Sequence, residues 1–177
     1  MVGVALAVCL LFDREADRAV RQLWAQLEER GIPTLLTHTH GVHVPHVSYA
    51  VYRTFDVEAV LAAVGALPVG APTTLRFDAV GLFRRRRGAL VASSTVDLLR
   101  RQEAVVAAGE SAGADLHRYY RPGLWVPHCS LSTGVHRRDM PAMATAAFDI
   151  LPLEARATST ALVDSSTGRR WPLPHVV

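Results

Sequence analysis

Two short segments of this chain carry the same chemistry. Val44-Pro45-His46-Val47-Ser48-Tyr49 recurs in the second half as Val126-Pro127-His128-Cys129-Ser130-Leu131, with valine, proline, histidine and serine in matching places. An imidazole titrates near neutrality and can take or give a proton during a reaction. A serine hydroxyl donates hydrogen bonds to anionic oxygens. In a strand, side chains at i and i+2 share a face. His46 and Ser48 should therefore project together, away from Val47 and Tyr49, and His128 and Ser130 together, away from Cys129 and Leu131. If two like halves pack about a pseudo-twofold axis, all four side chains converge on one small site. A tetrahedral phosphoryl group suits that site, with two oxygens for the serines and entering and leaving oxygens for the imidazoles. A single His-x-Ser is weak evidence, and two core histidines bonded to backbone are the competing reading. The longer pattern, repeated in equivalent strands, is what favours catalysis.

Other segments carry chemistry less sharply. His38-Thr39-His40-Gly41-Val42-His43-Val44-Pro45-His46 holds four histidines, a natural metal-ligand composition. No HExxH pattern accompanies them, and Asp and Glu are absent from Arg30 through Phe55, so they read first as a loop at the cleft mouth and only second as substrate contacts or metal ligands. Arg84-Arg85-Arg86-Arg87 reads as a solvated turn, with a phosphate-tracking patch for RNA as the alternative. Arg118, Tyr119, Tyr120, Arg121 and Trp125 interleave charge with aromatic rings before the second motif. They suit either base stacking or a core tryptophan under a tyrosine cover. Arg137-Arg138 and Arg169-Arg170 read as surface pairs.

The elements that must hold these groups follow from hydrophobic period and punctuation. Residues 4–12 are a continuous apolar run, as expected for a strand covered on both faces. Asp13 caps a helix with apolar Ala16, Ala19, Val20, Leu23, Trp24 and Leu27 on one stripe, stopped by Gly31 and Pro33. A strand over about 44–52 and a helix over about 56–66 come next. Strands at 74–83 and 89–92 follow, joined by the turn Arg84–Gly88. In the second half, Ser94 with Asp97 reads as a capping box opening a helix to about 108. A strand from Trp125 to Thr133, a helix over about 139–150, a strand at 153–164 and a short final strand from Arg169 complete the chain. The expected fold class is α+β, bilobal, with two pseudo-symmetric lobes of antiparallel sheet plus helices around a central cleft.

Composition bounds the rest. The 177 residues are half apolar and 20% charged, which suits one domain over 1–177, its lobes formed approximately by the N- and C-terminal halves, and excludes a fibrous or disordered chain. No stretch is long and apolar enough for a membrane span. The run Val2–Phe12 leads into Asp13-Arg14-Glu15 and reads as a buried strand, not a signal peptide, so the expected location is cytoplasmic. There is no lysine: all 19 basic residues are arginine, against 16 acids. Coding bias explains that, while guanidinium forks also match phosphate oxygens. Cys9 and Cys129 form no CxxC and read as buried thiols, with no disulfide framework and no thiolate-bound metal expected.

Paired His-x-Ser/Thr-apolar motifs, one per half in a chain of this size, resemble the 2H phosphoesterase superfamily. Within it the chain is similar to the 2′,5′ RNA ligase-like branch, which includes 2′,3′-cyclic phosphodiesterases. The first strand and helix, RFDAVGLF (Arg76–Phe83) and RPGLWVPHCSL (Arg121–Leu131) sit where that family would place them. The resemblance implies a bilobal fold with both motifs in one cleft. It also implies hydrolysis, or reversible ligation, at a 2′,3′-cyclic phosphate of an RNA end or nucleotide, with no metal and no cofactor. His46 and His128 match the catalytic histidines, and Ser48 and Ser130 the phosphate-binding hydroxyls. Many members carry Thr where this chain has Ser, which supplies the same hydroxyl with a freer χ1. Family analogy leans to His128 as base and His46 as acid, which the sequence alone does not separate. A non-catalytic RNA- or nucleotide-binding module and a metal-dependent hydrolase using residues 38–46 remain the alternatives. Neither a membrane nor an obligate protein partner is indicated.

Overall fold

The computed structural model describes residues 5–177; the expected strand position Val4 and the start of the apolar run lie outside them. The chain forms eight strands and four helices in the order β1 (Leu6–Phe12), α1 (Arg14–Glu29), β2 (His46–Thr54), α2 (Val57–Gly65), β3 (Thr73–Phe83), β4 (Arg87–Ala92), α3 (Val96–Ser111), β5 (Asp115–Leu116), β6 (His128–Ser132), α4 (Met140–Phe148), β7 (Leu153–Asp164) and β8 (Arg170–Pro172). The strands make one sheet in the order β5-β2-β1-β7-β3-β4-β6, with β8 on β7. Every pairing between these strands is antiparallel. The expected α+β class with antiparallel sheet is observed.

Burial explains the sheet order. Leu6, Val8, Cys9 and Leu10 are fully buried, as the unbroken apolar run requires, and β1 lies between β2 and β7. Strands from the two halves interleave: β7 enters between β1 and β3, and β5 pairs with β2. Helix α1 packs on β7, β6 and β1 and beside α4, while α2 and α3 pack together, α3 against β2. Strands β2 and β6, far apart along the sheet order, also lie against each other. The sheet therefore curls until the two repeat-bearing strands meet.

The helix caps carry much of the local specification. Asp13 accepts from the amides of Glu15 and Ala16, both at 3.0 Å, and from the amide of Arg156 on β7 at 2.6 Å. One carboxylate thus starts α1 and ties it to the sheet. Gly31 ends that helix at a φ of 75°, where a side chain would be strained. For α3 the cap is Thr95, whose hydroxyl accepts from the Leu98 amide at 3.1 Å, not the expected Ser94. The second repeat strand is shorter than expected, His128–Ser132, because Pro127 has no N–H to give a ladder; its carbonyl still accepts from Ala92 at 3.0 Å. The expected arginine turn is tighter too. It spans Arg84–Arg86, and Arg87 already belongs to β4. The two-residue strand β5 carries no periodicity of its own and has no counterpart in the sequence reading.

Candidate active site

The backbone around both repeats is built alike. His46 opens β2 and His128 opens β6. The Nδ1 atom of His46 lies 2.7 Å from the Val44 carbonyl, and that of His128 lies 2.7 Å from the Val126 carbonyl. A carbonyl can only accept, so each Nδ1 carries a proton. Each motif serine has its backbone carbonyl held by a tryptophan from elsewhere. The Trp125 indole donates to Ser48 at 3.0 Å, and the Trp24 indole donates to Ser130 at 3.1 Å. Trp125 is buried; it is a core brace and not a stacking platform for a base.

The two imidazoles come close enough for the charge on His46 to act on His128, and the strands they open, β2 and β6, lie against each other. Ser48 is 9% exposed and Ser130 half-buried, on the same faces as their histidines by strand alternation. The structure thus brings His46, Ser48, His128 and Ser130 to one place.

The surroundings of the two histidines differ. Cys9 pairs with Ser48 across β1 and β2, and its sulfur lies 3.5 Å from the Ser48 hydroxyl. Burial alone would push the His46 imidazole down. The Cys9 sulfur beside it, as charge partner and hydrogen-bond partner, and the Val44 carbonyl outweigh that and push it up to about 9. His128 goes the other way. Burial lowers it, the charge on His46 lowers it further, and the Val126 bond only partly offsets them. Its ring faces the Phe83 ring, with centroids 4.7 Å apart. Phe83 in turn leans over Gly81, where a Cβ would come within 2.7 Å of Val91 Cγ2 and 3.2 Å of Phe83 Cε2. Cys9 and Phe83 are site residues that the sequence did not single out. The only signal for Phe83 was its place in the RFDAVGLF stretch, and nothing local marked Cys9.

The remaining candidates sort by position. His38, His40 and His43 stack, with ring centroids 5.9 Å apart for His38–His43 and 4.0 Å for His40–His43. His43 Nε2 lies 2.9 Å from the Thr39 hydroxyl. Burial, then charges on His40, His46 and His38, push His43 down to about 4 against a backbone bond from His38. Among the described residues no group of three His, Cys, Asp or Glu side chains is placed to hold a metal ion. Tyr119 is exposed and Tyr120 half-buried; burial, first, and the Cys9 charge push Tyr120 up to about 12, against a bond to Ser48 and the Arg87 charge.

With this geometry in view, the sequence model of the 2′-5′ RNA ligase superfamily matches residues 12–169. The chain belongs to that superfamily, the 2H phosphoesterases. Solved structures share the fold at low identity. A crystal structure described as a phosphoesterase aligns with a TM-score of 0.65 at 16% identity, over 97% of this chain and 95% of that one. Escherichia coli LigT complexed with 3′-AMP aligns with a TM-score of 0.64 at 13% identity, over 96% and 94%. Kluyveromyces marxianus Usb1 aligns with a TM-score of 0.52 at 13% identity, over 97% and 98%. No curated protein matches the chain. As a 2H phosphoesterase it has no helix, among the described residues, long and apolar enough to cross a membrane.

Proposed function

We propose that this 2H phosphoesterase hydrolyses 2′,3′-cyclic phosphates of RNA ends or nucleotides by two-histidine acid–base catalysis, with His128 as the base and His46 as the acid. The observation that carries the reading is a pair of imidazoles held alike by their own strands but set in unlike surroundings, the Cys9 sulfur at the first motif's serine and the Phe83 ring against His128. Both Nδ1 atoms are committed to carbonyls. His46, pushed up to about 9, keeps its Nε2 proton at neutral pH and can give it. His128, pushed below its ordinary value, presents a bare Nε2 lone pair and can take one.

The step balances on these groups. Water attacks phosphorus while His128 Nε2 takes its proton. The P–O bond to one ribose oxygen breaks, and His46 Nε2–H protonates that oxygen. One phosphomonoester results, and the two imidazoles have exchanged protonation states, to be reset through solvent. Ser48 and Ser130 donate to the two phosphoryl oxygens that neither enter nor leave. The same sequence with a second ribose hydroxyl in place of water forms a phosphodiester, which is ligation, and its reverse is cleavage to the cyclic phosphate. The E. coli LigT structure with 3′-AMP and a K. marxianus Usb1 structure with uridine monophosphate support a nucleotide-sized ligand for this fold.

The test is turnover of a 2′,3′-cyclic mononucleotide, with EDTA present, followed by phosphorus NMR. A single phosphomonoester is expected, with rates lowered about 10²- to 10⁴-fold in His46→Ala and in His128→Ala. Turnover that needed added metal, or that survived both substitutions, would overturn the reading.

A further inference from the structure

Strand β2 changes face in the middle of the first motif. Against β1, Ala50 pairs with Val8 and Ser48 pairs with Cys9, so Tyr49 is an extra residue. That is a β-bulge, which leaves one residue without a ladder partner and re-aims the side chains beyond it. Tyr52 faces α3, where its hydroxyl donates to the Val105 carbonyl at 3.0 Å. Strict alternation from Tyr52 would carry Ala50, Ser48 and His46 onto that same face, under the helix. Val8 and Cys9 are neighbours on β1 and point to opposite faces, so their partners Ala50 and Ser48 do too. The bulge therefore turns His46 and Ser48 away from α3 and toward the second motif.

A buried bulge needs its spare backbone groups met. Gln102 on α3, 1% exposed, meets the Tyr49 carbonyl. Its Nε2 donates there at 3.2 Å and to the Tyr120 carbonyl at 2.7 Å. Carbonyls only accept, so both N–H groups of the carboxamide are engaged and its orientation is fixed. Tyr120 belongs to the segment that leads into the second motif. The His117 amide, at the start of that segment, donates to the Val51 carbonyl at 2.8 Å. The Trp125 indole, at its end, donates to the Ser48 carbonyl at 3.0 Å. Gln102 grips both chains between these two ties: the bulge that aims the first motif and the lead-in that delivers the second.

We propose that Gln102 is a positioning residue for the reaction, acting through the Tyr49 bulge to set where His46 and Ser48 stand relative to His128. The inference rests on the proposed roles of His46 as acid and Ser48 as phosphate ligand. A carboxamide is a costly choice on a helix face otherwise buried through Leu98, Val105, Val106 and Gly109. Packing alone would be served better by an apolar side chain of that length. Two carbonyls from different segments need a double donor at one point, which among uncharged side chains only Gln and Asn carry on a single nitrogen.

The experiment measures kcat for a 2′,3′-cyclic mononucleotide and the indole N–H signals by nitrogen-15 NMR, in wild type, Gln102→Met and Tyr52→Phe. Gln102→Met keeps the length of the side chain without a donor. Tyr52→Phe removes another hydrogen bond between β2 and α3 but leaves the bulge alone, so it shows what lost stability does by itself. In Gln102→Met kcat should fall about 10²-fold, the cost of a misplacement near 1 Å, and in Tyr52→Phe it should stay within about twofold of wild type. The Trp125 indole, bonded to the Ser48 carbonyl, should shift and exchange faster with solvent in Gln102→Met and not in Tyr52→Phe. The Trp24 indole, bonded to the Ser130 carbonyl, should stay in place in both. Gln102→Asn, one methylene shorter, should show the same pattern more weakly, and it decides the matter if Gln102→Met does not fold. An unchanged kcat in Gln102→Met, an equal loss in Tyr52→Phe, or an unmoved Trp125 indole overturns the positioning role while leaving the cyclic phosphodiesterase reading intact. If wild type turns over no cyclic mononucleotide, that reading fails by itself. The indoles then decide the clamp: a change at Trp125 alone supports it, and no change, or equal changes at Trp125 and Trp24, overturns it.

Discussion

His46 and His128 occupy equivalent places in a repeated motif but differ in what touches them, and the pH dependence follows from that difference. The proposed mechanism needs His128 neutral and His46 charged. Rate should fall in acid as His128 gains a proton below 6.5, and fall in alkali as His46 loses one near 9. A bell-shaped kcat/KM profile with a broad top is expected. Cys9→Ala removes the sulfur that offsets the burial of His46, so the alkaline limb should move down by a pH unit or more. Phe83→Ala lets water reach the His128 ring, so the acid limb should move up toward 6.5. Measuring kcat/KM from pH 4.5 to 10 separates the two, since each substitution should shift one limb. If both limbs stay in place, the assignment of acid and base has no physical support. The serines were legible at this scale because strand period 2 alone aligns them with the histidines. Cys9 was not, since it meets Ser48 from a strand 39 residues away.

At the scale of elements, local signals located most helices and strands, and their ends shifted where a single side chain decided otherwise. Asp13 is the clearest case. Burial by itself would raise its pKa, but the amides of Ala16, Arg156 and Glu15 outweigh it and hold the carboxyl below its ordinary value. Asp13→Ala removes the cap of α1 and the tie to β7 together, and should cost about 1–2 kcal/mol in urea unfolding. A depressed carboxylate contributes stability above its unfolded pKa of 3.8 and loses it as pH falls through the folded value. The gap between wild type and Asp13→Ala should therefore persist at pH 7 and close in acid; a gap that does not depend on pH would show that the carboxylate charge is irrelevant. The Ser94/Asp97 pair fitted a capping box as well as Thr95 fitted a simple cap, and only the path of the chain out of β4 chose between them. The strand before Pro127 was overextended for a related reason, because apolar composition continues where the hydrogen-bond ladder does not.

Over the whole molecule, two indoles cross-brace the site. Trp24 on α1 holds Ser130 on β6, and Trp125 beside β6 holds Ser48 on β2. Each brace therefore fixes the strand segment of one motif from elsewhere in the fold. Trp24→Phe and Trp125→Phe keep most of the apolar volume but leave a carbonyl unpaired, at about 1–3 kcal/mol each. Because β2 and β6 lie in contact, the two losses should fall short of adding in the double variant, a coupling measurable by thermal or urea unfolding. Strict additivity would mean that the two strands hold their places independently.

The sequence by itself determined the pieces that depend on neighbours along the chain. These are the paired Val-Pro-His-x-Ser segments, the projection of His and Ser from one face, the α1 cap and stripe, and the membership that those motifs announce. Each follows from periodicity or from contacts within a few residues. The tertiary structure alone decided what makes the two motifs unequal: Cys9 from β1 beside His46, and Phe83 from β3, paired with Arg87 of β4, against His128. Those contacts join residues from different strands of a curled sheet, and burial and charge act through space, where distance along the chain carries no information.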